Sequence, residues 1–398
     1  MTKKLIAICL AILIGVVALP IIGGLTDDMT NAGTGIVTDL ANSANTVEFS
    51  EDGTYLAEGQ IVSPYINIMK RDGDGFLKLA NPSSLPTGRA DGIDFSTDGT
   101  YMAVAHTTTP FVTIYKRSGD TFTKLADPAD LPAGNANAVA FSNDGTYLAV
   151  GHATTPFVTI YKRTDDVFAK LADPAALPAA DGKGVDFSND GTYLSVAHTT
   201  TPFVTIYKRA ADVFTKLDDP AALPAGNGTG TDFSTDGTYL AVSHTTTPFI
   251  TIYKRAADVF TKLDDPAALP TGNALCVNFS TDGTYLAVGH DVTPFFTIYK
   301  RAADVFTKLA DPATLITDDA TGIDFSYNGV YLVASHQSTM YVSVFRRSAD
   351  VFTYIPKVAA GTLYNSTTGD LVDLLPILFT IVLVGGVAAY LVFAKKKE

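Results

Sequence analysis

The dipeptide Phe-Ser returns at positions 49, 95, 141, 187, 233, 279 and 325, a spacing of 46 residues held six times without an insertion. Seven near-identical units in tandem leave few architectures open. A unit this short cannot bury its own apolar side chains, so the copies must stack on one another. Repeats of about 40 to 50 residues build helical solenoids as well as propellers, and the pattern inside one copy decides between them. The copy from Gly184 reads GVDFS, TYLSVAH, FVTIYKR and VFTKL. These are four runs rich in Val, Ile, Thr, Tyr and Phe, as strands are, and nothing in them recurs at the helical period.

The connections agree. Asn189-Asp190-Gly191 between the first two runs predicts a two-residue hairpin with positive φ at both central residues. Six copies keep Asp-Gly, and the seventh has Asn328-Gly329. Arg-Ala-Ala-Asp or a close variant joins the third run to the fourth. A loop with two prolines, such as Pro220 and Pro224, then leads to the next copy, because Pro cannot donate to a strand ladder. The expected fold is all-β, a seven-bladed β-propeller of four-stranded blades over residues 45–356. Val351 to Ile355 supplies the seventh copy's own fourth strand, and Met29 to Asn45 holds nothing like it. The last blade is therefore expected to close without an N-terminal strand.

The phrase FSxDGTYLAV, followed by a strand ending VTIYKR, resembles the WD-repeat-like seven-bladed propellers over Thr46 to about Ile355. The resemblance implies a first strand ending in Phe-Ser at the inside of each blade and an apolar second strand beside it. The family's Trp-Asp is replaced here by Tyr115-Lys116 and its equivalents, and the chain has no Trp. Its side-chain hydrogen-bond network is not carried over.

Leu5 to Leu25 and Leu374 to Ala394 are each 21 residues without a charge, and at about 1.5 Å per helical residue each matches the roughly 30 Å hydrocarbon thickness of a bilayer. Lys3 and Lys4 precede the first run, and Lys395, Lys396 and Lys397 follow the second. By the positive-inside rule both ends read as cytoplasmic and the propeller as extracytoplasmic. The expected organisation is an N-terminal anchor over 1–25, a linker over 26–44, the propeller, a linker over 357–373, a transmembrane helix over 374–394 and a basic tail over 395–398. A cleaved signal peptide is the alternative for 1–25, and cleavage would leave the propeller on the same side. Cys9 lies in the first apolar run and Cys276 in a first strand, so no disulfide is expected.

Three residue series repeat with the blades. His106, His152, His198, His244, His290 and His336 occupy one position, with Gln60 in the first copy. Packed sheets stand about 10 Å apart, too far for two such imidazoles to share a metal. The parity of His198 with Leu194 and Val196 predicts a structural ring bonded to a loop carbonyl or an acid. Glu48, Asp94, Asp186, Asp232 and Asp324 precede Phe-Ser, with Ala140 and Asn278 in the other copies. Near the axis they would accept bonds from neighbouring backbone or hydroxyl groups, or hold an axial Ca²⁺-like cation. Lys-Arg pairs such as Lys208-Arg209 end each third strand, and an Asp three residues later in the same hairpin predicts a self-neutralised surface.

With 41 acids against 28 bases the net charge is −13, which disfavours a nucleic-acid partner. The strands barely change between copies, whereas the inter-blade loops do. These loops and the HTTTP loops should share one rim, and the expected binding residues on it are Thr107, Thr108, Arg89, Asn135, Lys183, Asn227, Asn273 and Asp291. An enzyme would need single-copy polar residues converging at the axis. Glu58, Arg89, Lys183, Asp291 and Gln337 are scattered over five copies, so a propeller lactonase or glycosidase is the weakest reading. No catalytic residue, metal or cofactor is expected. The leading expectation is a membrane-anchored, non-enzymatic module binding a protein or glycan partner. The alternative is a structural component of a cell-envelope lattice or a membrane-containing virion. Asn227-Gly228-Thr229, Asn278-Phe279-Ser280 and Asn365-Ser366-Thr367 match the N-glycosylation acceptor pattern.

Overall fold

Each 46-residue copy forms one antiparallel four-stranded sheet, with the strands in sequence order from the axis outward. The structure, a computed structural model, describes residues 43–337, 341–356, 362–365 and 370–373. In the fourth copy the strands are Gly182–Phe187, Tyr193–His198, Val204–Ala210 and Val213–Lys216. The second strand is buried along all six residues, because a sheet covers each of its faces. The outermost alternates, with Phe214 buried and Val213 and Thr215 exposed. The seventh blade takes all four strands from its own copy, ending in Val351–Ile355, as the sequence predicts. The first strand of blade one and the last strand of blade seven both meet the rim of the HTTTP loops: Ala44 lies opposite Gln60, and Ile355 opposite Val344.

The Asp-Gly connection differs from the expected two-residue hairpin. Residues 188–192 form a longer loop in which Gly191 alone has positive φ, at 63°. The Gly191 N–H donates to Ser188 O at 2.7 Å, Ser188 Oγ donates to Asp190 Oδ1, and Ser188 Oγ accepts from the Tyr193 N–H. The Asp is there to brace the loop, which explains why Asn328 replaces it in the seventh copy with the same bonds to Ser326 and Val330.

The core lies between blades. Tyr147, Ala149, Val158 and Ile160 of blade three pack on Val185, Phe187, Leu194, Val196, Tyr207 and Phe214 of blade four. At the axis the first strands of neighbouring blades touch backbone to backbone. A Cβ on Gly184 would lie 2.8 Å from Gly230 Cα, which restricts this position to small residues. Further out a clamp recurs at six blade interfaces. The Tyr193 hydroxyl donates to Asp258 of the next blade at 2.5 Å, Lys208 Nζ reaches the same carboxylate at 2.8 Å, and the Arg255 guanidinium stacks 4.8 Å from the Tyr193 ring. The other five join Tyr55 to Asp120, Tyr101 to Asp166, Tyr147 to Asp212, Tyr239 to Asp304 and Tyr285 to Asp350. The Asp expected to neutralise the Arg of its own hairpin thus pairs with the Lys of the preceding blade, and the Arg is held by the Asp-Gly loop, as Arg209 Nε is by Gly191 O at 2.6 Å.

A separate two-stranded antiparallel hairpin, Thr362–Asn365 with Asp370–Asp373, occupies part of the segment expected to be a linker. Among the described residues no helix is long and apolar enough to cross a membrane. The apolar runs 5–25 and 374–394, Cys9, the tail 395–398 and most of both linkers lie outside the described residues.

The clamp has unequal parts. The Lys208–Asp258 pair is 43% and 44% exposed, so water and salt screen most of its attraction, whereas the short bond from the Tyr193 hydroxyl is anchored by a ring that is buried between the blades. Tyr193→Phe should therefore lower the unfolding free energy by about 1 kcal/mol, and Lys208→Met by less. Urea denaturation of the two variants tests that order.

Candidate functional site: the axial cavity and the loop rim

The first strands surround an axial cavity of about 550 Å³. Along each strand the lining residues fall into three levels. Nearest the HTTTP rim stand Asp91, Asn137, Lys183, Thr229, Leu275 and Thr321, and Asn45 holds the equivalent position in blade one. The carboxylates Glu48, Asp94, Asp186, Asp232 and Asp324 form the middle level with Ala140 and Asn278, and Glu51, Thr97, Asn143, Asn189, Thr235, Thr281 and Tyr327 stand at the far mouth.

The middle level joins blade to blade. Asp94 accepts the Phe141 N–H, Asp186 that of Phe233, Asp232 that of Phe279, and Asp324 that of Phe49, at 2.5 to 2.7 Å. Asn278 Oδ1 does the same for Phe325 at 3.0 Å. Each acceptor satisfies an N–H on the free inner edge of the next blade's first strand, and the Asp324 to Phe49 bond closes the ring. Burial raises these carboxyls above the usual range. Asp94 moves to about 8 and Asp232 to about 7, against the opposing effect of the backbone N–H groups they accept. Glu48 is raised first by burial and then by the charges of Asp324 and Asp94. Among the described residues no group of three His, Cys, Asp or Glu side chains is placed to hold a metal ion.

The histidines lie away from the axis. All six are at most 1% exposed. Each Nε2 meets the hydroxyl of the third strand of its own blade, as His106 meets Thr113 and His198 meets Thr205 at 3.0 Å, and His336 meets Ser343 at 3.1 Å. The loop carbonyl that was expected does act on the ring, as Thr108 O does on His106 and Thr200 O on His198, and a strand hydroxyl that was not expected joins it. Alternation explains it, since the facing residue in the third strand is Thr or Ser while its neighbours are apolar. Burial lowers His106, His152, His198, His244 and His290 to about 4, so they are neutral at pH 7.

The HTTTP and inter-blade loops share one rim. Thr87 Oγ1 donates to the carbonyls of Thr108 and Thr109 at 3.3 and 2.9 Å, the Thr107 N–H donates to Arg89 O, and Asn273 Nδ2 donates to Asp291 Oδ2 at 2.9 Å. Thr108, Arg89, Asn135 and Asn227 are exposed, whereas Thr107, Lys183, Asn273 and Asp291 are half-buried. Arg89 chelates Asp91 through Nε and Nη2 at 2.6 and 2.9 Å. Asp91, which the sequence reading passed over, accepts the Asn45 amide as well. Its signal was available, because Asn, Asp, Asn, Lys, Thr, Leu and Thr succeed one another at the second position of the first strand, the most varied position in it. Of the five single-copy polar residues only Lys183 lines the cavity. Glu58 is buried within blade one, where Asn67 Nδ2 donates to it.

No protein-family model matches this chain, and no curated protein does. Solved structures do. A chain of Kuenenia stuttgartiensis hydrazine synthase aligns with a TM-score of 0.63 over 80% of this chain and 99% of that one, at 15% identity. A protein from Lactobacillus plantarum aligns with a TM-score of 0.65 over 77% and 96%, also at 15% identity. What is shared is the fold. This chain is a seven-bladed β-propeller of four-stranded blades.

The two titrating rings act in opposite directions. Histidines ordinarily near 6.5 and lowered to about 4 bind more protons when unfolded, so their contribution is complete above 6.5 and is lost as pH falls towards 4. Asp94 and Asp232, raised from 3.8 to about 8 and 7, bind more protons when folded. Their contribution is complete below 3.8 and is lost as pH rises through 7 to 8. Asp94→Asn with Asp232→Asn, which keeps an acceptor as Asn278 does, should flatten the decline of the thermal midpoint between pH 6.5 and 8. His198→Gln should shallow the decline below 6.5. Unchanged slopes in melting curves across this range would contradict the assignment.

Proposed function

We propose that the propeller is a non-enzymatic binding module of an extracytoplasmic surface. The apolar runs 5–25 and 374–394 hold it to a lipid bilayer, and its loop rim meets a protein or glycan partner. The observation that carries this reading is where the copies differ. The second and third strands stay nearly constant because their side chains are engaged inside and between blades, while much of the variation falls in the inter-blade loops of one rim and on the cavity wall that continues from them. Arg89, Asn135, Lys183, Asn227, Asn273 and Asp291 belong to this set, with Thr107 and Thr108 repeated beside them. Near-identical blades suit several weak contacts acting together. The resemblance to WD-repeat-like propellers supports the same reading, because neither that resemblance nor the cavity brings a nucleophile and a base together.

The full-length protein in detergent should bind isolated envelope material or a member of a glycan array. Arg89→Ala with Lys183→Ala should weaken that binding at least about tenfold, the loss of roughly 1.4 kcal/mol expected when a central contact is removed. Absence of binding to both probes, or hydrolysis that Asp186→Asn abolishes, would defeat the reading.

One observation favours the architectural alternative. Val167, Val213, Val259, Val305 and Val351 begin the outer strands of five successive blades at 62 to 65% exposure, giving the circumference a series of apolar points for lateral contact between discs in an envelope lattice or a virion membrane. Electron microscopy of native membranes distinguishes the readings. Ordered arrays dispersed by Val213→Lys and Val259→Lys support the lattice, and isolated molecules support the binding module.

A further inference from the structure

Three sites in the sequence match the N-glycosylation acceptor pattern, and the structure gives them different standing. Asn278 lies in the innermost strand of blade six, where its Oδ1 accepts the Phe325 N–H at 3.0 Å and Ser280 is fully buried. A glycan there would occupy the axial cavity and remove one of the contacts that join blade six to blade seven. Asn365 ends a strand of the separate hairpin. Asn227 is exposed on the inter-blade loop that leads into blade five, at the rim. Its backbone carbonyl accepts the Thr245 N–H at 3.2 Å. The same position holds Ser43, Arg89, Asn135, Asp181, Asn273 and Asp319 in the other copies, so blade architecture does not require Asn there. Asn135 and Asn273 are followed two residues later by Asn137 and Leu275, which leaves Asn227 with Thr229 as the one rim asparagine that completes the pattern.

From this comparison we infer that Asn227 carries an N-linked glycan. The step joins Asn227 Nδ2 to C1 of the first sugar of a lipid-phosphate-linked oligosaccharide. The bond from C1 to the phosphate oxygen breaks, the lipid phosphate leaves with the bonding electrons, and the amide gives up one proton. Thr229 Oγ1 is engaged in the folded protein, bonded to Ser243 Oγ at 2.9 Å and donating to Ala274 O at 2.8 Å. Transfer therefore precedes docking of blade five onto blade six. Chains modified at Asn278 cannot complete the ring, so the folded population carries sugar at Asn227 and none at Asn278. A glycan on this loop covers the rim over blade five and turns partner contacts towards the arc that holds Arg89 and Asn135.

The inference rests on the extracytoplasmic reading, and the experiment separates the two. Trypsin yields residues 217–254, with Asn227 as their one asparagine, and residues 263–300, which contain Asn278. Mass spectrometry of the full-length protein from its native membrane should find peptide 217–254 raised by whole sugar residues and peptide 263–300 unmodified. Asn227→Gln should abolish the increment while leaving the protein folded. Protease shaving of intact cells is run alongside. A propeller that is shaved but has peptide 217–254 unmodified overturns the glycan alone. A propeller protected from protease overturns the extracytoplasmic reading, and sugar on peptide 263–300 instead of 217–254 overturns the choice of site.

Discussion

The structure depends on the contact between neighbouring blades, because no blade has a core of its own. A four-stranded sheet of 46 residues leaves two apolar faces, and each is covered only by the next copy, as Tyr147 and Ile160 are by Phe187 and Phe214. At the axis this contact becomes so close that backbones touch at Gly184 and Gly230. The carboxylates of the innermost strands extend it by satisfying the N–H groups that a free strand edge would leave bare. Each acceptor in the ring therefore serves two blades, and the Asp324 to Phe49 bond joins the last copy to the first across 275 residues of sequence.

Such economy accounts for the chemistry-bearing residues. A buried imidazole without a partner would be costly, and each histidine has a hydroxyl seven residues further on. A carboxylate deep in a protein is costly unless it accepts hydrogen bonds, and four of the axial five accept a backbone N–H. The Tyr hydroxyl and the Lys ammonium converge on one Asp at the outer interface, and the Arg guanidinium stacks on the Tyr ring beside them. Residues that could be read as a metal ring, an acidic site and a basic surface are the polar fastenings of a stack.

The 46-residue period, the four strands, the loops on one rim and the self-sufficient last blade were legible in the sequence because each depends on separations within one copy. The missed features cross copies or depend on backbone detail. Tyr193 reaches Asp258 over 65 residues and Lys208 reaches it over 50. Neither separation is a multiple of the repeat, so within one unit the Asp stands beside its own Arg and invites the wrong pairing. The Asp-Gly signal was read as the shortest hairpin, whereas Ser188 and Asp190 bonds build a loop that needs only one glycine in the left-handed region. Asp91 was overlooked because only alignment of the copies on the cavity wall shows it to be one of seven dissimilar neighbours.

Variation on that wall can be divided by asking what the fold requires there. At the mouth Asn45, Asn137 and Thr229 each donate to the carbonyl that opens the next blade's first strand, Ala90, Gly182 and Ala274 respectively, at 2.8 to 3.2 Å. Thr321 does so towards Ala44 at 3.4 Å. Asn and Thr satisfy one structural demand, and their exchange is drift within it. Leu275 cannot donate, and in that blade Cys276 Sγ takes over, 3.5 Å from Ala320 O. Asp91 and Lys183 are different. A carboxylate cannot donate to the next carbonyl, and Asp91 instead draws in Arg89 and Asn45, while Lys183 lies 3.8 Å from Asp181. These two charged residues, on blades two and four, break the sevenfold sameness of the wall: Asp91 still joins its blade to blade one through Asn45, whereas Lys183 pairs only with Asp181 of the loop that leads into its own blade among the ion pairs of the described residues.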